Sequence, residues 1–433
     1  MSHQNDFDLM DPAVQQCPYA GYKRLRDTEP LYKMPSADFH LVTRYDLARE
    51  IIRAPDAFPS SVSPMALSDD GIAPEIIDIY ASGGWVPLAS CSTSDPPYQT
   101  RVRGFLEKLF TAERVRAATP MIDKIAETLL DDLEGKTDVE FIQAFAHPLP
   151  MMVIADLLGV PQSDISQFKI WSDAIVEPFS MMASRERRIE CAQLVVEMQA
   201  YFADMVAERQ RQPRDDLISE AIAYRDDSDV AFTMQELMTI ITIDLLASGN
   251  ETTTAAIGSG MKLLVEDSSA LAEVVAEPAL IPRLAEEILR LESPAQGMFR
   301  RCAKDSVLQG VPLAEGELLN IRFGAANRDE QQFANPDHID LHRPKPGGHL
   351  AFGMGRHVCV GAALARQEII SAFRALTQRY DRFWLTPGSD EPYYQPSLFG
   401  RNLLTLPISW SPRQSKALWQ QVIGKVPRKM LVD

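Results

Sequence analysis

From Asp95 to about residue 292, apolar residues return at helical spacing almost without pause, a pattern that predicts a mainly helical body. Asp95 is expected to cap the first of these helices, with Pro96 near its first position. Thr233 and Glu236 form a capping-box signature ahead of a run that reaches about Val265. At about 1.5 Å per residue that helix is about 45–50 Å long, enough to cross the whole molecule. Before Asp95, strand-like FHLVTR alternates with helical DLAREIIRA, and the stretch Ser60 to Ser94 carries Pro, Gly and Ser throughout. That stretch reads as irregular, and long irregular segments are often binding loops. From SVLQGVPLAEGELLNIRFG onward the pattern changes to short strands and turns, until AALARQEIISAFRALTQRY resumes helical spacing at Ala362. The expectation is one mainly α domain with smaller β-sheets and no dividing linker.

Composition narrows the function. Of 433 residues, 24% are charged and 45% hydrophobic, a globular balance with ample core. The net charge of −17 disfavours nucleic acid and anionic membrane surfaces. No run reaches the roughly 18 apolar residues of a membrane span, and the best candidate, MTIITIDLLASG, is interrupted by Asp244. The first residues lack the basic start and apolar run of a secretory signal. Five scattered cysteines with no CxxC pair argue against disulfides and zinc and fit a reducing cytoplasm.

The chemistry concentrates in GHLAFGMGRHVCVGAAL, Gly348 to Leu364. Cys359 lies just before the predicted helix at Ala362, where unpaired N–H groups favour negative charge and should lower a thiol toward thiolate. Gly353, Gly355 and Gly361 let the backbone turn tightly and approach a flat object. A cysteine in this setting is either a metal ligand or a nucleophile with His357 as a nearby base; a buried small hydrophobe is the plainer alternative. In the middle of the long helix, ASGNETT places Gly249 and several threonines, which are poor helix formers.

The pattern Phe352-Gly353-x-Gly355-x-His357-x-Cys359-x-Gly361 closely resembles the haem-binding signature of the cytochrome P450 superfamily. EILR (Glu287, Arg290) and ASGNETT stand in the order found there. The resemblance covers about residues 15–411 as a single domain of the P450 fold and is nearest to the soluble bacterial members. It leaves an N-terminal arm, 1–14, and a basic tail, 412–433, in which Trp419, Val422 and Ile423 are spaced for a short helix.

The resemblance implies haem b (iron protoporphyrin IX), with Cys359 as the iron ligand and Phe352 and Gly353 beside it. Arg103, Arg301 and His357 would hold the propionates, with Gln99 where many relatives carry a histidine. Gly249 would leave a groove for dioxygen, with Thr252 beside it and Glu251 relaying protons. Glu287, Arg290 and Arg343 would form a structural cluster behind the cysteine loop. Trp85, Val86, Leu88, Ile175, Phe179, Met181, Met182, Phe299 and Phe399 lie in stretches that line family pockets, although each could equally be core. Asp244 and Ser248 share the pocket-facing side of the long helix. Asp244 would meet either a structural partner, Arg300 being one candidate, or a hydroxyl or amine on the substrate.

The implied activity is monooxygenation of an apolar small molecule with O2, by hydroxylation or oxidative dealkylation. Electrons would come from a small ferredoxin and its NAD(P)H-dependent reductase. Arg101, Lys108, Arg356 and Arg366 would form the docking patch, and the protein would be a cytoplasmic monomer independent of membrane and nucleic acid. A peroxide-driven or isomerising haem-thiolate enzyme and a haem-based sensor are the alternatives.

Overall fold

The computed structural model describes residues 7–62 and 73–413. The tail residues Trp419, Val422 and Ile423 lie outside them. The long helix forms with its capping box in place: Thr233 N–H donates to Glu236 at 2.7 Å, and Glu236 N–H to the Thr233 hydroxyl at 3.3 Å. It is not uniform. An α-helical start, Met234–Thr239, widens into a π-helical stretch, Ile240–Ala247, before α-helix returns over Ser248–Glu266. The irregularity suggested by the poor helix formers of ASGNETT therefore lies just ahead of them, ending at Ala247. π-helical turns inside α-helices are frequent at functional sites.

Around this rod pack Pro148–Leu158, Ile281–Glu292 and Ala362–Arg379. Two large apolar clusters fill the helical body, one including Phe141, Phe145 and Phe373, the other Phe168, Met198 and Phe202. A four-stranded sheet stands to one side, ordered Leu31–Lys33, Phe39–Val42, Leu318–Arg322, Gly297–Arg301. Its central pair is parallel and its outer pairs antiparallel. A three-stranded sheet, Asp138–Glu140, Pro407–Pro412, Tyr380–Leu385, closes the far end.

Three local expectations change. Asp95 does not cap the following helix, which starts at Tyr98 with Pro97 as its N-cap. Its carboxylate instead accepts the Ser60 and Ser61 N–H groups at 2.9 Å, tying back the preceding loop. The stretch between Ser60 and Ser94 holds a helix, Pro74–Gly83, whose Ile76 and Tyr80 are buried. Residues 7–14 are part of the packed body, since Phe7 and Leu9 are buried beside Tyr22.

Candidate active site

A cleft of about 1520 Å³ of empty volume opens between the long helix, the strand Gly297–Arg301 and the cysteine loop. Cys359, Phe352, Gly353, His357 and Gly361 line one wall; Asp244, Ser248, Gly249 and Thr252 line another. The loop's shape requires glycine at two points: Gly353 and Gly355 adopt φ of 64° and 66°, the left-handed region that a Cβ disfavours. The Cys359 N–H then bonds back to the Phe352 carbonyl at 2.9 Å, closing the turn.

Two adjacent carboxylates on the helix Ile281–Glu292 anchor this loop. Glu287 receives both Arg290 (2.9 and 2.9 Å) and Arg343 (2.9 and 3.2 Å) in paired bonds, and the Asp340 N–H at 2.9 Å. Glu286 holds His349 at 3.1 Å and Arg366 at 2.5 and 3.1 Å. Arg366 in turn covers the Phe352 ring, 4.5 Å from its centre. These salt bridges hold Glu286 at about 2 and Glu287 below the usual carboxylate range, despite burial that acts the other way.

Cys359 is exposed where it faces the cleft, but the protein packed around that cleft desolvates it and raises the thiol, while the Gly361 amide, Arg103 and Arg366 oppose the shift. The helix terminus predicts the opposite direction. Desolvation wins because the helix begins three residues later, at Ala362, and its dipole falls off within a turn. A cation bonded to sulfur would restore the thiolate.

One end of the cleft is cationic, but its members differ from expectation. Arg300 lines it at 6% exposure, whereas Arg301 points to solvent and donates to the Gly316 carbonyl at 3.2 Å. Successive side chains of a strand face opposite sides, so the pair cannot share the role. The same alternation removes Phe299, which packs in the core against Phe39, and brings Met298 to the cleft. Gln99 is buried behind the loop, its amide donating to the Arg356 carbonyl at 3.2 Å rather than lining the cleft. Arg103 lines it and donates to the Val358 carbonyl at 2.8 Å.

His357 completes this end. Both of its ring nitrogens are buried without a hydrogen-bond partner among the described residues. Asp95 is 3.8 Å away, and burial together with Arg300 lowers the imidazole to about 4. Arg103 is paired with Glu107 at 2.7 Å and Asp95 lies near Arg300 and His357, yet two arginines and an orphaned imidazole together suit an anionic edge. The donor set therefore fits a haem: Cys359 for iron, Phe352 and Gly353 beside it, and Arg103, Arg300 and His357 for the propionates.

On the long helix, the Thr252 hydroxyl donates to the Ser248 carbonyl at 3.0 Å, and the Ser248 hydroxyl to that of Ile243 at 2.8 Å. Thr252 also lines a second, polar cavity containing Glu251, Asp173, Lys169 and His147. There Glu251 accepts from Asn250 at 3.1 Å and Asn402 at 3.3 Å. Burial, reinforced by neighbouring Asp173, lifts the Glu251 carboxyl to about 7. Thr252 thus joins the cysteine cleft to a cavity holding a carboxyl that titrates near neutrality.

Of the remaining pocket expectations, Phe399 lines both cavities. Val86, Ile175 and Phe179 line a separate apolar pocket with Ile243. Trp85 and Leu88 line neither; their backbone N–H groups are bound by Gln199 and Thr239. Met181 packs against the cluster around Phe299, and the Met182 N–H is bound by Ser180. The expected docking patch loses two members to internal ion pairs, Arg101 with Asp226 and Glu236, Arg366 with Glu286. Lys108, over the Tyr224 ring, and Arg356, near Asp56, remain.

Glu368 was not among the sequence candidates. It lines the cleft, one of its oxygens has no partner, and burial raises its carboxyl well above the ordinary value. The available signal is a charge on the apolar stripe between Leu364 and Ala372.

The arrangement of a cysteine loop facing a helix that carries Gly-x-x-Thr is that of a haem-thiolate protein. Residues 89–408 match the cytochrome P450 family, and the chain belongs to it. Cytochrome P450 107B1 of Saccharopolyspora erythraea is 34% identical over 93% of this chain and 97% of its own. The 6-deoxyerythronolide B hydroxylase of the same organism is 33% identical over 90% and 95%. The solved structure of CYP109Q5 from Chondromyces apiculatus superposes with a TM-score of 0.82 at 32% identity, covering 94% of this chain and 99% of its own. Among the described residues no helix is long and apolar enough to cross a membrane.

Proposed function

We propose that this cytochrome P450 monooxygenase takes haem b and inserts one oxygen atom of O2 into an apolar small molecule, hydroxylating or oxidatively dealkylating it. The other oxygen atom leaves as water, which requires two electrons and two protons. A separate ferredoxin with its NAD(P)H-dependent reductase supplies the electrons, in the cytoplasm, to a monomer. The observation that carries this reading is Cys359 facing Thr252 across a cleft whose cationic end suits two carboxylates.

When bound, a thiolate-ligated haem supplies the oxidative chemistry, and thiolate donation favours O–O cleavage. The chain does the rest. The Glu286 and Glu287 clusters keep the cysteine loop rigid, so the sulfur is positioned before anything binds. Leu245, Ala295, Met298 and Phe399 give the cleft an apolar surface that selects apolar substrates and excludes water. Glu251, titrating near 7, can both hold and release a proton at physiological pH, and the Thr252 hydroxyl can pass it to the cleft side. The name of the relative 6-deoxyerythronolide B hydroxylase supports hydroxylation as the reaction. Of the four expected docking cations, Lys108 and Arg356 stay available for an acidic ferredoxin.

The test is turnover of the haem-loaded protein with ferredoxin, reductase and NAD(P)H, beside a parallel reaction given only peroxide. Product only with peroxide would replace this reading by a peroxide-driven one.

A further inference from the structure

Asp244 is held in an unusual way. Its Oδ1 accepts the Cys91 N–H at 2.9 Å, which fixes the carboxyl against the loop that crosses the long helix. Its Oδ2 is buried and has no hydrogen-bond partner among the described residues. The residue lines the cysteine cleft, in the π-helical stretch and ahead of Ser248 and Thr252. Among the described residues no cation is paired with it: Arg300 donates to its own strand at the Phe299 carbonyl, and His357 lies by Asp95. The neighbouring Tyr98 hydroxyl, itself buried, makes no hydrogen bond to it either. Nor does the helix satisfy it, because the Ser248 and Thr252 hydroxyls both donate to backbone carbonyls.

A carboxylate oxygen buried without a donor is costly, and the cost is lowered either by taking up a proton or by a donor arriving from within the cleft. We infer that Asp244 is the specificity-determining residue of this enzyme, accepting a hydrogen bond from a hydroxyl or amine carried by an otherwise apolar substrate. This rests on the function proposed above and narrows its substrate class. Burial lifts the Asp244 carboxyl to about 7, as expected for a group whose partner comes and goes. The Cys91 bond leaves Oδ2 as the free acceptor, so recognition is directional, and a substrate lacking the donor would strand it.

The test is equilibrium dialysis of the haem-loaded protein against three cages of matched shape: 1-methyladamantane, 1-adamantanol and 1-aminoadamantane. The two donors should bind wild type at least tenfold more tightly than the methyl compound. Asp244→Leu should abolish that preference. Asp244→Asn, which keeps an acceptor for the Cys91 N–H and guards against misfolding, should retain it for the alcohol more than for the amine. A preference for the amine alone identifies an ammonium as the donor; one shared by the alcohol identifies neutral hydroxyls as well. Equal affinity of all three for wild type, or a donor preference unchanged in Asp244→Leu, overturns the inference. The reduced carbon monoxide spectrum of the same samples reports the haem-thiolate reading separately, so failure of one is distinguishable from failure of the other.

Discussion

Arg300 and Arg301 are neighbours on one strand and face opposite ways, the first into the cysteine cleft and the second to solvent. The anionic edge of a haem can therefore engage only one of them. Arg300→Leu should weaken haem retention by about tenfold to a hundredfold, the ~1.5–3 kcal/mol of a charge-assisted hydrogen bond. Arg301→Leu should leave it within about twofold of wild type. Haem transfer to apomyoglobin measures both, and equal losses would refute the strand-face assignment.

Cys359→His tests the axial ligand. The reduced carbon monoxide complex should lose its thiolate-type spectrum while the fold, followed by circular dichroism, is kept. An unchanged spectrum would place the ligand elsewhere.

Thr252→Ala leaves the cleft wall almost intact but removes the hydroxyl that joins the two cavities. Substrate binding should change little, while the fraction of NAD(P)H converted to product falls severalfold and peroxide or excess water rises. Glu251→Gln should slow turnover and enlarge its solvent isotope effect. Unaltered coupling in Thr252→Ala would remove the threonine from the proton path.

Glu287 neutralises Arg290 and Arg343 where all three are buried. Removing the carboxylate strands two cations, so Glu287→Ala should destabilise the protein by about 3–5 kcal/mol. Denaturant unfolding measures this, and a loss below about 1 kcal/mol would mean the arginines find other partners.

Asp244 also makes stability depend on pH. Its folded value of about 7 lies above the unfolded 3.8, so between those values the folded state holds a proton that the unfolded chain has released. Its contribution is complete at low pH and lost as pH rises through about 7. In the substrate-free protein, Asp244→Asn should reduce the stability lost between pH 5 and 8 by about 2–4 kcal/mol. Identical pH slopes for the two proteins would show that the carboxyl is already paired.

Much of this protein is legible in one dimension. Helical spacing, the Thr233–Glu236 capping box and the glycines around Cys359 act through neighbours in the chain, so the sequence alone determines the long helix, the cysteine loop and the chemistry they imply. Glu287, Arg290 and Arg343 were legible for a different reason, since the long cysteine-loop motif points to the family in which they meet. Choices made by packing were not legible. Strand alternation gives two equal assignments for Arg300 and Arg301 until a cleft lies on one side, and only the tertiary structure supplies that side. Asp95 turns to the Ser60–Ser61 backbone instead of its own helix because a distant loop competes for it. Arg101 and Arg366 read as free surface cations until folding brings Asp226, Glu236 and Glu286 against them. Glu368 and the unpaired oxygen of Asp244 belong to the same class: a charge is visible in sequence, but whether anything answers it depends on residues more than a hundred positions away.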